Sequence, residues 1–294
     1  MRYLLRAAWA VGLAALTSSC ALAQGASLAV AFARSYSAME TDKLYRGYLE
    51  HLGRCTGAGL TNHFAQPLAG RLFVAETVPE SQMPALLQNG RLQVALVPSA
   101  TAVWLQAQGI AQPVALRGQL ASRQAETFEL LLLVRADAPA KALAHLAGQK
   151  IGLPVVADSP APPLDERLAA KALADAGLAG HYTAQPAASH ERALVGLQGG
   201  FWQAAFVASD QFDRMVKKRE VRRADFRILW RSRPLPTESL VVSASVPPAT
   251  RERIAQCSQS HRFNAEQARL FEGSDALLPP DDALYAPYRA LLQP

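Results

Sequence analysis

The 294-residue chain contains only three cysteines, and none lies in a CxxC or CxxCH pattern. Dithiol redox chemistry and covalent haem attachment therefore have no support. GxSxG elbows, P-loops and HExxH motifs are missing as well, which removes three common signatures of hydrolytic chemistry. The six histidines, at 51, 63, 145, 181, 190 and 261, are not spaced as metal ligands. The expectation is a protein with no catalytic residues, no cofactor and no metal. Charge is modest too: charged residues make up 18% of the chain, with a formal excess of +6. So small an imbalance is no argument for a nucleic-acid partner. The basic run Lys217–Arg223 reads as a solvated helix end, with a membrane-partner docking surface as the other reading. Beyond the N-terminus no run is apolar enough to span a bilayer.

The first residues do carry a signal. Arg2 and Arg6 form a basic start, Ala7–Leu16 is a short apolar run, and Ala21-Leu22-Ala23 supplies a small-x-small cleavage pattern. Residues 1–23 are read as a signal peptide, with a mature periplasmic protein beginning at Gln24. Cys20 offers a rival lipoprotein reading, against which the expected leucine three places upstream is displaced to Leu16. The mature chain retains Cys55 and Cys257, an even pair in an oxidising compartment; they form either a disulfide or two buried thiols. Its length suits two lobes of roughly 100–150 residues each.

Strand and helix patterns alternate along the chain. Ser27–Arg34 reads as a buried strand, and Ser37-x-x-Glu40 as a capping box opening a helix with Leu44, Tyr48 and Leu52 on one face. A second strand is expected over Gly70–Thr77, a short one over Leu92–Val97, and a central one through the apolar run Thr127–Val134. From Ile151 onward the order is strand, loop, helix, strand, helix, strand, and residues 248–273 read as mostly one long helix. Such alternation argues for parallel, helix-covered sheets. Polar residues cluster where strands end: Ser99 and Thr101, Ser159, His190, and Asp210. In open α/β folds ligands bind at those ends, beside helix N-termini. Helix capping is the plainer role for each of them.

The ordered set of short motifs resembles a known family. Asn89-Gly90-x-x-Gln93-Val94-Ala95-Leu96, the LLLLVRAD run at 130–137, Leu146-Ala147-Gly148-Gln149-Lys150-Ile151-Gly152 and Ala174-Asp175-Ala176-Gly177-Leu178 come first. Ser189-His190-Glu191, Ile228-Leu229-Trp230-Arg231-Ser232-x-Pro234-Leu235-Pro236 and Tyr285-x-Pro287-x-Arg289 follow. Together they resemble the periplasmic substrate-binding proteins of phosphate, phosphite and phosphonate ABC transporters. The resemblance implies an α/β, two-lobed type II binding-protein fold, each lobe a helix-covered, mostly parallel sheet. Residues 24–120 and 230–294 would form the first lobe and 121–229 the second, joined by two hinge strands. It also implies a small-molecule ligand, no enzymatic activity, a monomer, and an inner-membrane ABC permease as partner. The alternative partner is a sensor histidine kinase or chemoreceptor reading the closed form.

Site residues transfer unevenly. The family's Ser-Thr-Ser-Gly anion loop is matched here by Asp158-Ser159-Pro160-Ala161-Pro162-Pro163, where prolines offer no N–H and Asp158 would repel an oxyanion. The family's histidine corresponds to His190, and its two amine-holding acids to Asp210 and Glu238. Two ligand-facing tyrosines are replaced by Phe128 and Glu80. The resulting pocket is expected to favour a ligand with a cationic or hydrogen-donating group, or a metal or oxyanion held in some other way.

Overall fold

The computed structural model describes residues 27–33, 37–67, 76–154, 159–161, 163–271 and 273–293. The expected signal peptide, Cys20, Asp158 and most of the strand expected over 70–77 lie outside them. Strand β1 (Ser27–Ala33) is buried after its first residue. Leu28, Val30 and Phe32 join one core, while Ala29, Ala31 and Ala33 join another on the opposite face. A strand covered on both sides has no reason to alternate with polar residues.

Ser37 and Glu40 form the expected capping box at the start of helix α1 (Ala38–Thr56), which ends at Gly57 in the left-handed conformation, φ 72°. Next come β2 (Gly59–Thr61), β3 (Thr77–Val78), α2 (Met83–Gln88), β4 (Val94–Pro98), α3 (Ser99–Ala107), β5 (Ala111–Gln119) and β6 (Gln124–Ala125). The chain then leaves this sheet through β7 (Thr127–Phe128).

The second sheet contains β8 (Leu130–Arg135), β9 (Lys150–Pro154), β10 (Thr183–Ala187), β11 (Ala204–Ala208) and β12 (Phe226–Arg231), in the order β10-β9-β11-β8-β12. Helices α4 (Leu164–Asp175), α5 (His190–Gln198) and α6 (Ser209–Lys217) cover it. The apolar run expected as one strand divides at Glu129, whose N–H turns to the Ser209 hydroxyl at 2.9 Å. Its longer part, β8, lies inside the sheet. Leu130, Leu132 and Val134 pack toward α4, while Leu131 and Leu133 pack toward α5 and α6.

Strand β13 (Leu235–Pro236) returns the chain and pairs antiparallel with β7, Leu235 opposite Phe128. It leads into β14 (Glu238–Ser243), α7 (Pro248–Ser260), α8 (Ala265–Leu270), β15 (Ala276–Leu278) and α9 (Asp282–Leu292). The first sheet runs β15-β5-β14-β4-β1-β2, with β3 against β1 and β6 against β5. The helix expected over 248–273 breaks at His261, and Asn264 starts a new capping box with Gln267.

Parallel pairing holds where consecutive βα units build each sheet, as at Val30 opposite Val94 and Ile151 opposite Ala204. Strands fed by the crossovers run antiparallel to their neighbours: β8 to β11 and β12, and β14 to β4 and β5. The sheets are thus more mixed than a chain of alternating strands and helices predicts.

Cys55 of α1 is bonded to Cys257 of α7 across 202 residues of sequence. In the chain-entropy model a loop of that length is worth about 5 kcal/mol. Where the lobes meet, Val103, Leu116, Tyr285 and Tyr288 of one pack with Leu164 of the other and Leu235 of the crossover. Among the described residues no helix is long and apolar enough to cross a membrane.

Candidate functional site

Helices α3, α5 and α6 start directly at or just beyond the ends of β4, β10 and β11, and α4 follows the loop after β9. Their N-termini therefore gather where the two lobes face each other. Ser189 caps α5 by accepting from the Arg192 N–H at 3.1 Å. By contrast α3, α4 and α6 begin at Pro98, Pro163 and Ala208, none of which supplies a capping side chain. The Ser99 and Ser209 N–H groups donate to the Thr237 and Glu129 carbonyls. First-turn N–H groups that lack a side-chain cap carry partial positive charge and can serve an incoming acceptor.

Carboxylates stand beside these donors. Glu80 accepts from the Thr101 hydroxyl within its own lobe, and the Ser159 hydroxyl of the other lobe reaches the same oxygen at 3.4 Å. Asp165, in the first turn of α4, accepts from the Tyr288 hydroxyl of α9 at 3.0 Å. Both are contacts between lobes.

Desolvation raises the Asp165 pKa above 3.8, opposed by nearby His190 and the Tyr288 hydrogen bond. Desolvation also lowers the His190 pKa below 6.5, against the pull of Asp165, Asp210 and Glu191. His190 is therefore neutral at pH 7. Its Nδ1 lies 3.1 Å from the Ala208 N–H and must accept from it. The ring proton consequently sits on Nε2, which is a donor. Asp210 accepts from the Gln211 side chain at 2.9 Å.

The remaining predicted residues sit differently. Ser99 is buried and shares a hydroxyl chain with Ser239 at 2.7 Å, which continues to Tyr285 at 2.8 Å. Burial pushes the Tyr285 pKa up to about 12, so the chain is uncharged. Glu238, expected to face an amine, is held by Arg117 at 2.7 Å. Phe128 is half-buried in β7 and packs on the inter-lobe apolar cluster.

The structure thus brings together Thr101 with Ser159, through Glu80, and His190 with Asp210, around Asp165. Ser99, Glu238 and Phe128 belong to separate contacts. Sequence reasoning missed Asp165, Tyr288 and Arg117. Asp165-Glu166 looks like an ordinary acidic first turn, whereas Arg117 left a readable trace as a lone charge in the apolar run Val114–Gly118. Among the described residues no group of three His, Cys, Asp or Glu side chains could hold a metal ion.

Nothing among curated proteins matches the chain. Several solved structures do. XAC2383 from Xanthomonas citri, bound to ATP, superposes with a TM-score of 0.67 at 17% identity, covering 91% of this chain and 96% of that one. PhnD1 from Prochlorococcus marinus, in complex with methylphosphonate, gives 0.61 at 11% identity over 90% and 96%. A binding-protein component of an ABC phosphonate transporter from Pseudomonas aeruginosa, PA3383, gives 0.60 at 15% identity over 91% and 86%. At these identities the likeness concerns the fold, and it is that of two-lobed type II binding proteins. The family model described as an ABC transporter, phosphonate, periplasmic substrate-binding protein matches residues 30–285. Since that match spans most of the chain, the protein belongs to the periplasmic substrate-binding family of phosphonate ABC transporters, a family of transport proteins rather than enzymes.

Proposed function

We propose that the chain is an exported solute-binding protein that traps a small polar ligand between its lobes and presents it to an inner-membrane ABC permease. Residues 24–120 with 230–294 would move against 121–229 about the paired crossovers β7 and β13. The observation that carries this reading is the meeting of uncapped helix starts from both lobes beside Glu80, Asp165 and Asp210. The N–H groups suit an oxyanion, and the carboxylates suit an ammonium or another strong donor.

A bare dianion would meet repulsion. Two like unit charges about 4 Å apart oppose each other by about 4 kcal/mol at an effective dielectric of about 20. The site therefore favours a ligand carrying both charges, such as an aminoalkylphosphonate, over phosphate or methylphosphonate. His190 would donate from Nε2, and Thr101 and Ser159 would exchange their bonds to Glu80 for bonds to ligand.

The test is a thermal-shift panel on the protein from Gln24: phosphate, phosphite, methylphosphonate, aminoalkylphosphonates, simple amines and ATP, the last because a protein of the same fold holds it. A ligand at 100 times its dissociation constant stabilises the fold by about 2.7 kcal/mol. The aminoalkylphosphonates are expected to shift the transition most, with Asp210→Asn reversing the preference toward methylphosphonate. Silence across the panel, or equal shifts with and without the amine, would sink the proposal.

A further inference from the structure

Arg117 is the least expected charge in the molecule: it sits on β5 in the middle of an apolar run and is 4% exposed. Its guanidinium holds both crossovers at once. Nε and Nη2 grip Glu126, Nη2 at 2.9 Å from Oε1, and Glu126 immediately precedes β7. Nη1 grips Glu238 at 2.7 Å, two residues after β13. The same Nη1 donates to the Tyr45 hydroxyl at 3.2 Å, and the guanidinium lies 4.4 Å from the centre of the Phe271 ring. Ser274 supplies a further donor to Glu126 at 3.0 Å.

The backbone repeats the pattern. Glu126 N–H donates to the Arg117 carbonyl at 2.7 Å, and Thr237 N–H donates to the Glu126 carbonyl at 3.2 Å. Gly118 makes the approach possible, because a side chain there would put its first carbon 2.9 Å from Ala125 Cα. At the other end of the two-strand ribbon hydrogen bonds tie the second lobe, Glu129 to Ser209 and Leu130 to Ser232, and the charge pair there is the weaker one. Arg231 pairs with Glu129 at 2.8 Å, but its side chain is 56% exposed, and exposed pairs hold little.

From this asymmetry, between a buried charge clamp at one end and hydrogen bonds with an exposed pair at the other, we infer that Arg117 is the positioning residue of the hinge: it fixes both crossovers to the first lobe, so that bending is confined to residues 127–128 and 233–236. A buried guanidinium shared by two carboxylates is held in one geometry, since losing either partner leaves an uncompensated charge. Through Glu238 the clamp also sets Ser239, and with it the Ser99 hydroxyl at the start of α3. The inference rests on the proposed closure of the two lobes.

Its test needs no ligand. Spin labels are attached without cysteine chemistry at exposed Gln88 and Arg192, one on each lobe. The distance distribution between them is measured in wild type, Arg117→Met and Tyr48→Phe, with unfolding midpoints recorded in parallel. Arg117→Met is expected to broaden the distribution and to speed exchange of the Glu126 and Thr237 amides about tenfold, as local opening there becomes easier. Tyr48→Phe loses the buried bond to Ser258 but touches neither crossover. It should lower the midpoint and leave the distribution unchanged.

A folded Arg117→Met protein with the wild-type distribution overturns the inference. Should that variant fail to fold, Glu126→Gln, which loosens the first crossover alone, is held to the same two outcomes. A wild-type distribution that no ligand of the panel narrows counts against the binding reading. The comparison of variants without ligand still decides the clamp.

Discussion

Tyr288 donates its hydroxyl proton to Asp165 across 3.0 Å, from the last helix of one lobe to the first turn of a helix in the other. Both partners are affected by the loss of water. Burial and the neighbouring Asp165 charge raise the Tyr288 pKa well above 10.0, which keeps it a donor at any working pH. Asp165 is left as a desolvated acid with one strong partner, and that partner is present only while the lobes meet.

Tyr288→Phe should therefore weaken the meeting of the lobes while keeping the ring packed among Val103, Leu116 and Leu164. A fully buried acceptor stripped of its donor costs about 1–3 kcal/mol, and half-buried Asp165, which water can partly reach, should fall at the low end. The expected outcome is a lower urea midpoint and a larger mean separation of the lobes without ligand. An unchanged separation would mean that the apolar cluster alone holds them.

Asp165→Asn should raise stability at pH 7. An acid whose folded pKa lies above its unfolded value of 3.8 binds its proton more tightly when folded. Its contribution is fully present below pH 3.8 and declines as pH rises through the folded value, where the desolvated charge forms. Asparagine carries no charge, and its oxygen still accepts from Tyr288. The gain over wild type should be largest at neutral pH and vanish below pH 3.8, as read from urea midpoints across that range.

Much of the architecture could be read from residue order, because it depends on local chemistry. The Ser37–Glu40 box, the Gly57 stop and the doubly buried Leu130–Val134 run each announce themselves within a few residues. The sheets' mixed direction did not, since β8 and β14 take their orientation from crossovers that join distant parts of the chain. The site divides in the same way. His190 and Asp210 stand at helix starts, which a sequence marks. The pairing of Asp165 with Tyr288 spans 123 residues and exists only in the assembled fold. Glu238 matched a family position, yet the Arg117 that takes its charge lies 121 residues earlier.

His261 should make the first lobe sensitive to acid. Burial, together with the charges of His51, Arg262 and Arg54, pushes its pKa down from 6.5 to about 4. A histidine held neutral by the fold contributes stability that is complete above pH 6.5 and is lost as pH falls toward 4, because the unfolded chain takes up the proton first. Its Nε2 is buried with no hydrogen-bond partner, so Phe in its place removes a polar atom that gains nothing. The ring would keep its edge contacts with Tyr48 and Phe263. Wild type should lose stability between pH 6.5 and 4, and His261→Phe should lose less. Parallel curves for the two proteins would place the acid sensitivity elsewhere, with His190 as the next residue to replace.

Gly196→Ala should destabilise the second lobe, although alanine in a helix interior ordinarily gains about 1 kcal/mol over glycine. Gly196 lies within α5 directly under Trp202, whose indole N–H donates to the Ala193 carbonyl at 2.8 Å. A methyl group at 196 would overlap the indole ring, and one at Gly152 on β9 would come within 2.7 Å of the same ring. The ring is thus confined from helix and strand at once and tied by its own hydrogen bond, so it cannot swing aside without breaking that bond. Overpacking of this kind costs about 1–3 kcal/mol, which exceeds the gain in helix propensity and sets the sign. The expected result is a lower unfolding midpoint for Gly196→Ala, recovered when Trp202→Phe is added to shrink the ring. A stabilised single variant would show that the indole has room to move and that the close seat is not what holds glycine at this position.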